Sequence, residues 1–364
     1  MGKRVVLLVG TNKGVFYYTS DLERRLWNLH GPFLSGWEAY SLLGDSRHGH
    51  RIFAGTSHAA YGATIRVSDD FGETWTQIEH GPAYSKESGF SLNRIWQLIP
   101  GAEQDTYFAG AEEAGLFVSR DRGTTWVELD GLTKHPTRPG WFPGAGGMCL
   151  HTIIIHPENP RRMWVAMSAV GVFRTDDGGE TWQTCNKGLA RVPTGQPYEE
   201  IGYCIHKMAI DPHDPDTLYM QEHGGVFKTV DGGDNWFPIE DGLTLKGDDA
   251  PFGFPISVAP NGDLFLVPLE SSEQRSMKGG RLLVYGMPKG SDRWEPIGDV
   301  LPEEKRHVSV LRDAMSVDSL DRYGLYFGTT SGEVFCSIDR GKTWDRLPGQ
   351  LSRILSVKPW IVED

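Results

Sequence analysis

The chain has 364 residues, a formal net charge of −12, 39% hydrophobic residues, 45 glycines and 22 prolines. That acidic balance argues against a nucleic-acid partner, and no apolar run approaches the ~20 residues a membrane-spanning helix needs. The four cysteines (149, 185, 204, 336) form no CxxC pair and no secreted framework, so a reduced, cytoplasmic compartment is expected.

The first element is "RVVLLVGT" (4–11), too short for the apolar core of a signal peptide and read as a strand. After it comes "SDLERRLW" (20–27), and then a stronger version of the same ending, "SDDFGETW" (68–75). The pattern Ser/Thr-x-Asp-x-Gly-x-Thr-Trp recurs as "SRDRGTTW" (119–126), "TDDGGETW" (175–182), "TVDGGDNW" (229–236, with Asn235 for Thr) and "SIDRGKTW" (337–344). A decayed copy, "MPKGSDRW", fills 287–294. The seven closing tryptophans, Trp27, Trp75, Trp126, Trp182, Trp236, Trp294 and Trp344, are 48 to 58 residues apart. Seven repeats of that period fill the chain and predict one domain over residues 1–364.

Each repeat has the same internal order. An alternating apolar run such as "LHTIIIHP" (150–157) or "IHKMAIDP" (205–212) is followed by a second run such as "RMWVAM" (162–167). A glycine-started run, "GVFRT" (171–175) or "GVFKT" (225–229), comes third, and the Trp stretch closes the unit. Runs this short, rich in β-branched and aromatic residues, predict strands rather than helices. Four strands per repeat and seven repeats predict an all-β, seven-bladed β-propeller of four-stranded antiparallel blades. The C-terminal "RILSVKP" (353–359) matches a first strand and the N-terminal run matches a second. Their pairing is expected to close the ring and remove an exposed edge.

The repeated motif resembles the Asp-box (BNR) repeat, found in sialidases, xyloglucanases, sorting receptors and photosystem II assembly-factor-like proteins. The resemblance implies a structural role. The Ser/Thr and Asp side chains would staple the turn between the third and fourth strands, with Gly at positive φ and Trp in the seam between blades. In propellers of this family that turn faces away from the ligand site. A sialidase has six blades, a Phe-Arg-Ile-Pro motif and an arginine triad. Here "GFPI" (253–256) lacks the arginine. Xyloglucanases pair two such propellers, whereas this chain has the length of one.

Chemistry is expected at one mouth of the channel, where inner strands begin and second strands end. Aligning the inner strands places Glu38, Arg94, His151, His206, Phe254, Arg306 and Arg353 at one position. Second-strand ends add His58, Glu112, Glu113, Glu222, His223 and Glu270. The loops at 131–148, 188–203 and 242–254 bring aromatics, of which Trp141 and Tyr198 are candidate ligand contacts.

Two chemistries fit. His58, His151, His206 and His223 are candidate ligands for a divalent metal (zinc, iron or manganese) in a metal-assisted hydrolase or lyase. The Cys-x-His pairs at 149–151 and 204–206 put a thiol on the same strand face as a histidine. In the other chemistry Glu112, Glu113, Glu222 or Glu270 acts as general acid or base in a metal-free glycoside hydrolase. Arg94, Arg306 and Arg353 would then bind an anionic group. The expected ligand is a small molecule or carbohydrate. A scaffold without chemistry is the third alternative.

Overall fold

The computed structural model describes residues 2–189, 199–243, 251–299 and 308–363. Within them the strands form five four-stranded antiparallel sheets and one eight-stranded sheet. The large sheet is two four-stranded units joined by a single parallel bridge, Asp313 to Ser356. Seven four-stranded units result. Among the described residues α-helix is confined to Asp130–Thr133.

The inner strands are Glu38–Asp45, Ile95–Pro100, Leu150–Ile155, Ile205–Ile210, Gly253–Val258, Val310–Val317 and Ile354–Glu363. Each packs against the next, and the last returns to the first, so the seven blades close a ring. The middle strands carry no polar alternation because both faces are covered by neighbouring blades. Met163–Met167, Gly171–Thr175 and Leu325–Thr329 are buried at every position. Continuous apolar runs such as "MWVAM" are what that environment selects.

Closure follows the expected route. The C-terminal strand Ile354–Glu363 is innermost, and Lys3–Thr11 pairs antiparallel with it from Lys3↔Glu363 to Gly10↔Ser356. Strands Gly14–Ser20 and Asn28–Phe33 complete that blade. Trp360 of the closing strand then packs across the next seam. A Cβ at Gly44 would come within 2.4 Å of its ring, and its indole N–H donates to the Ser46 hydroxyl at 3.0 Å.

The repeated turn has one geometry in all five full copies. In the third of them the Thr175 hydroxyl accepts from the Gly179 N–H at 3.0 Å, and the Asp177 carboxylate accepts from the Thr181 N–H at 3.0 Å. The Gly72, Gly123, Gly179, Gly233 and Gly341 equivalents all have φ between 79° and 98°, where a side chain is strained. The tryptophan that follows bonds either its own turn, as Trp126 and Trp182 do to the Gly123 and Gly179 carbonyls, or the seam. Trp236 donates from its indole to the Cys185 carbonyl of the preceding blade at 2.9 Å, and Trp294 likewise to the Ile239 carbonyl at 2.7 Å. Third strands begin at the channel mouth where second strands end. The turns after them therefore lie at the opposite end of the blades.

Candidate functional site

One-residue register shifts set the site. In the His151 blade, Leu150 pairs with Met167 and Thr152 with Ala166, so His151 is an extra residue. The same one-residue excess falls at Tyr40, Trp96, His206 and Leu355 and between Gly253 and Ile256, and a longer irregularity lies between Val310 and Met315. A bulge re-aims the side chain it carries. Tyr40, Trp96, His206, Phe254, Leu311 and Leu355 line a cavity of about 640 Å³ in the channel mouth. The equivalent position is therefore held by these residues and His151. Glu38, Arg94 and Arg353 each lie two residues earlier, a correction to the inner-strand alignment. A slip of two keeps every side chain on its face, so alternation cannot detect it.

The cavity floor is aromatic and cationic. The Tyr40 and Trp96 rings lie 4.7 Å apart. The Arg312 guanidinium sits between Trp96 and Phe254, 5.4 and 5.5 Å from their ring centres. Its Nε donates to the His206 carbonyl at 3.2 Å, which fixes it across the channel. Beneath it, Asp313 accepts from Lys207 at 2.7 Å and Lys358 at 3.0 Å, and Lys207 also reaches Gln97 at 3.1 Å. Burial holds the Lys207 ammonium down at about 8, against the pull of Asp313. The Asp313 carboxyl is well below its ordinary value; burial opposes this, and the two lysines overcome it.

On one wall Cys204, His206 and His223 offer a sulfur and two nitrogens within 4.8 Å of one another. His206 Nδ1 hydrogen-bonds the Gly253 carbonyl at 2.6 Å. That tautomer leaves Nε2 with its lone pair, the form that ligates a metal. Burial, with Arg312 nearby, pushes the His206 imidazole down to about 3, and burial also lowers His223 and raises the Cys204 thiol.

The remaining sequence-predicted residues are placed differently. His151 is fully buried with both nitrogens engaged, Nε2 with the Ile205 carbonyl at 2.9 Å and Nδ1 with the Thr152 hydroxyl at 3.0 Å. His58 packs with Trp37 and Tyr61, and its Nδ1 accepts from the Ala60 N–H. Neither joins His206 and His223. Glu112 is ion-paired to Arg94 at 2.7 Å and accepts from the Trp96 indole at 3.3 Å, so the pair backs the wall. Glu113 has φ 69° in its loop, with its carbonyl held by Arg138. Glu222 is fully buried and accepts from the Cys204 and Gly224 N–H groups, and burial pushes its carboxyl up to about 7. Glu270 accepts from the Gly279 N–H at 2.8 Å. The carboxylates that do line the cavity are Glu38 and Asp313. Arg353 lines it, whereas Trp141 lies in a separate depression with Phe90 and Arg138. Tyr198 and Arg306 lie outside the described residues.

Sequence reasoning missed Tyr40, Trp96, Arg275, Arg312 and Asp313. A signal was present for Lys207, Arg312 and Asp313. Charged residues inside the inner-strand runs "IHKMAI" and "VLRDAMSV" have only the channel to occupy.

No family model matches the chain. It is 23% identical over 314 residues to a probable oligoxyloglucan-reducing end-specific xyloglucanase of Neosartorya fischeri, covering 77% of this chain and 37% of the relative. The chain thus spans little more than a third of that relative's length. Among solved structures, an ancestral GH74 enzyme superposes with a TM-score of 0.57 at 17% identity, covering 84% of this chain and 38% of that one. YCF48 bound to a D1 peptide superposes with a TM-score of 0.53 at 15% identity, covering 86% and 83%. The chain shares the β-propeller fold of these structures. No helix among the described residues is long and apolar enough to cross a membrane.

Proposed function

We propose that the chain is a carbohydrate-active enzyme of the hydrolase or lyase class, with its ligand in the channel-mouth cavity. The observation that carries this reading is the aromatic floor of Tyr40, Trp96 and Phe254 around Arg312. Aromatic faces suit the apolar faces of sugar rings, and guanidinium and carboxylate groups at their edges suit hydroxyls. The relative's xyloglucanase name supports a saccharide ligand.

The donor set on the wall suits a divalent metal. A thiolate with two imidazoles favours zinc or iron over manganese, which prefers oxygen. Cys204, His206 and His223 would hold it, and when bound it supplies Lewis-acid polarisation of a ligand oxygen. The chain's own residues do the rest. Glu222 fixes the backbone of Cys204 and of the turn beside His223 through its two accepted N–H bonds. Glu38 is the cavity carboxylate free of lysine partners, and its Oε2 accepts from the Ser57 hydroxyl at 3.4 Å, which places it for proton transfer at the rim. The metal-free acid–base alternative also rests on Glu38, because Asp313 is committed to Lys207 and Lys358.

The test combines elemental analysis of the purified protein with calorimetric titration against neutral and acidic oligosaccharides. Stoichiometric zinc or iron, lost in His223→Ala, is expected. So is binding of at least one saccharide, weakened about tenfold or more in Trp96→Ala, the scale of a lost aromatic platform. A protein that binds no saccharide, or a Trp96→Ala variant that binds like the wild type, would overturn the carbohydrate reading. Metal content unaffected by His223→Ala would overturn the metal site alone.

A further inference from the structure

The chain carries a net charge of −12, yet its central cavity has the opposite sign. Arg275, Arg312 and Arg353 line it, against Glu38 and Asp313. Asp313 is already matched by two lysines, and the nearby Glu112 by Arg94. Among the described residues no carboxylate pairs with Arg275, Arg312 or Arg353. A basic cavity in an acidic molecule does not follow from composition.

Two of the three arginine side chains are also held in place. Arg312 is clamped between two ring faces with its Nε bonded to the His206 carbonyl, so its remaining N–H groups are those left for the cavity. Arg275 donates its Nε to the Ser272 carbonyl at 3.0 Å and lies 5.9 Å from the Phe254 ring centre. Its loop is closed by Glu270, which accepts from the Gly279 N–H. Arg353 immediately precedes the closing inner strand. A guanidinium fork fixed at one edge and stacked on an aromatic face is pre-organised for a planar anion. Two such forks flank Phe254, so a sugar ring and its charged substituent would be read side by side.

From this we infer that the ligand is an anionic saccharide, a sugar acid or phosphorylated sugar whose charged group is bound by Arg312 with Arg275 and Arg353 while its ring lies on the aromatic floor. The inference rests on the carbohydrate reading above and narrows it. An overall negative protein with a positive mouth also focuses such a ligand toward the channel.

The experiment compares trigalacturonate with its fully methyl-esterified form, which keeps the rings and removes the charge. Glucose 6-phosphate against glucose forms a second arm that separates phosphate from carboxylate. Wild-type protein is expected to bind one acidic member at least about tenfold more tightly than its neutral partner, the scale of charge-assisted bonds. The preference should weaken with added salt. Arg312→Gln and Arg353→Gln, checked for unchanged thermal melting, should each shrink it. Arg353 lies outside the sheet, so its variant remains informative if Arg312→Gln misfolds. Equal binding of charged and neutral partners, or a preference that survives both substitutions, sinks the inference. A neutral xyloglucan oligosaccharide that binds while the acids do not would sink it and leave the carbohydrate reading standing. Binding of inorganic phosphate with no saccharide of either kind would instead sink the carbohydrate reading, and with it the sugar part of the inference.

Discussion

At the residue scale the repeated turn is a self-contained set of bonds. Asp177 accepts from the Thr181 hydroxyl and N–H and from the Glu180 N–H. The Thr181 hydroxyl leads in holding its carboxyl well below the ordinary 3.8. Its stabilisation is therefore fully present above pH 3.8 and is lost as pH falls below it toward the folded-state value. Asp177→Ala should cost about 1–2 kcal/mol in urea denaturation at pH 7, the scale of lost turn hydrogen bonds, with ligand binding at the far mouth intact. A variant that keeps full stability but loses binding would contradict the structural role. This turn was legible because its chemistry is local. Ser/Thr, Asp, Gly and Thr lie within seven residues, and five copies repeat it. The cavity residues were not legible by the same means. Lys207 and Asp313 meet across 106 residues, and no local pattern records that meeting.

At the scale of elements, strand identity was readable but register was not. "EAYSLLGD" and "LHTIII" both alternate, so Glu38 could be matched to His151 although Tyr40 is the true equivalent. The bulge that turns Tyr40 and Trp96 into the cavity leaves no mark in composition. Ring closure was readable because both termini carry strand-like runs with no partner in their own repeat. Its energetic weight follows from burial. Ile354–Glu363 covers Val5 to Val9, all fully buried, and seats Trp360 against Gly44. A chain ending at Ser352 would lose an inner strand and expose that whole surface at once. The loss should exceed a typical domain stability of about 5–15 kcal/mol. Such a truncation is expected to aggregate or to elute as an expanded species on gel filtration. A soluble, compact product melting like the full chain would show that the seam does not hold the ring.

At the scale of the whole molecule, the channel is crossed by charge. Lys207 extends from its own blade to Gln97 and Asp313 on two others, and Lys358 joins from the closing strand. The inner strands of four blades are thereby tied at the axis beneath the cavity. Two lysines around one carboxylate make Asp313 the member whose loss is felt most, because it leaves like charges buried together. Asp313→Ala should therefore destabilise by about 3–5 kcal/mol near pH 7, the cost of orphaning a buried ion-pair partner. The pH dependence carries the sign. Lys207 titrates at about 8 in the fold against 10.5 for the free side chain. Between those values the unfolded chain holds a proton that the folded chain has released, so this group makes stability rise with pH. Without Asp313 the folded amine loses its proton at lower pH still, and the window opens earlier. The gap between variant and wild type in urea denaturation should thus be widest near pH 6–7 and narrow toward pH 10. A deficit of constant size across that range would mean that Asp313 stabilises the ring by packing and hydrogen bonding rather than by charge.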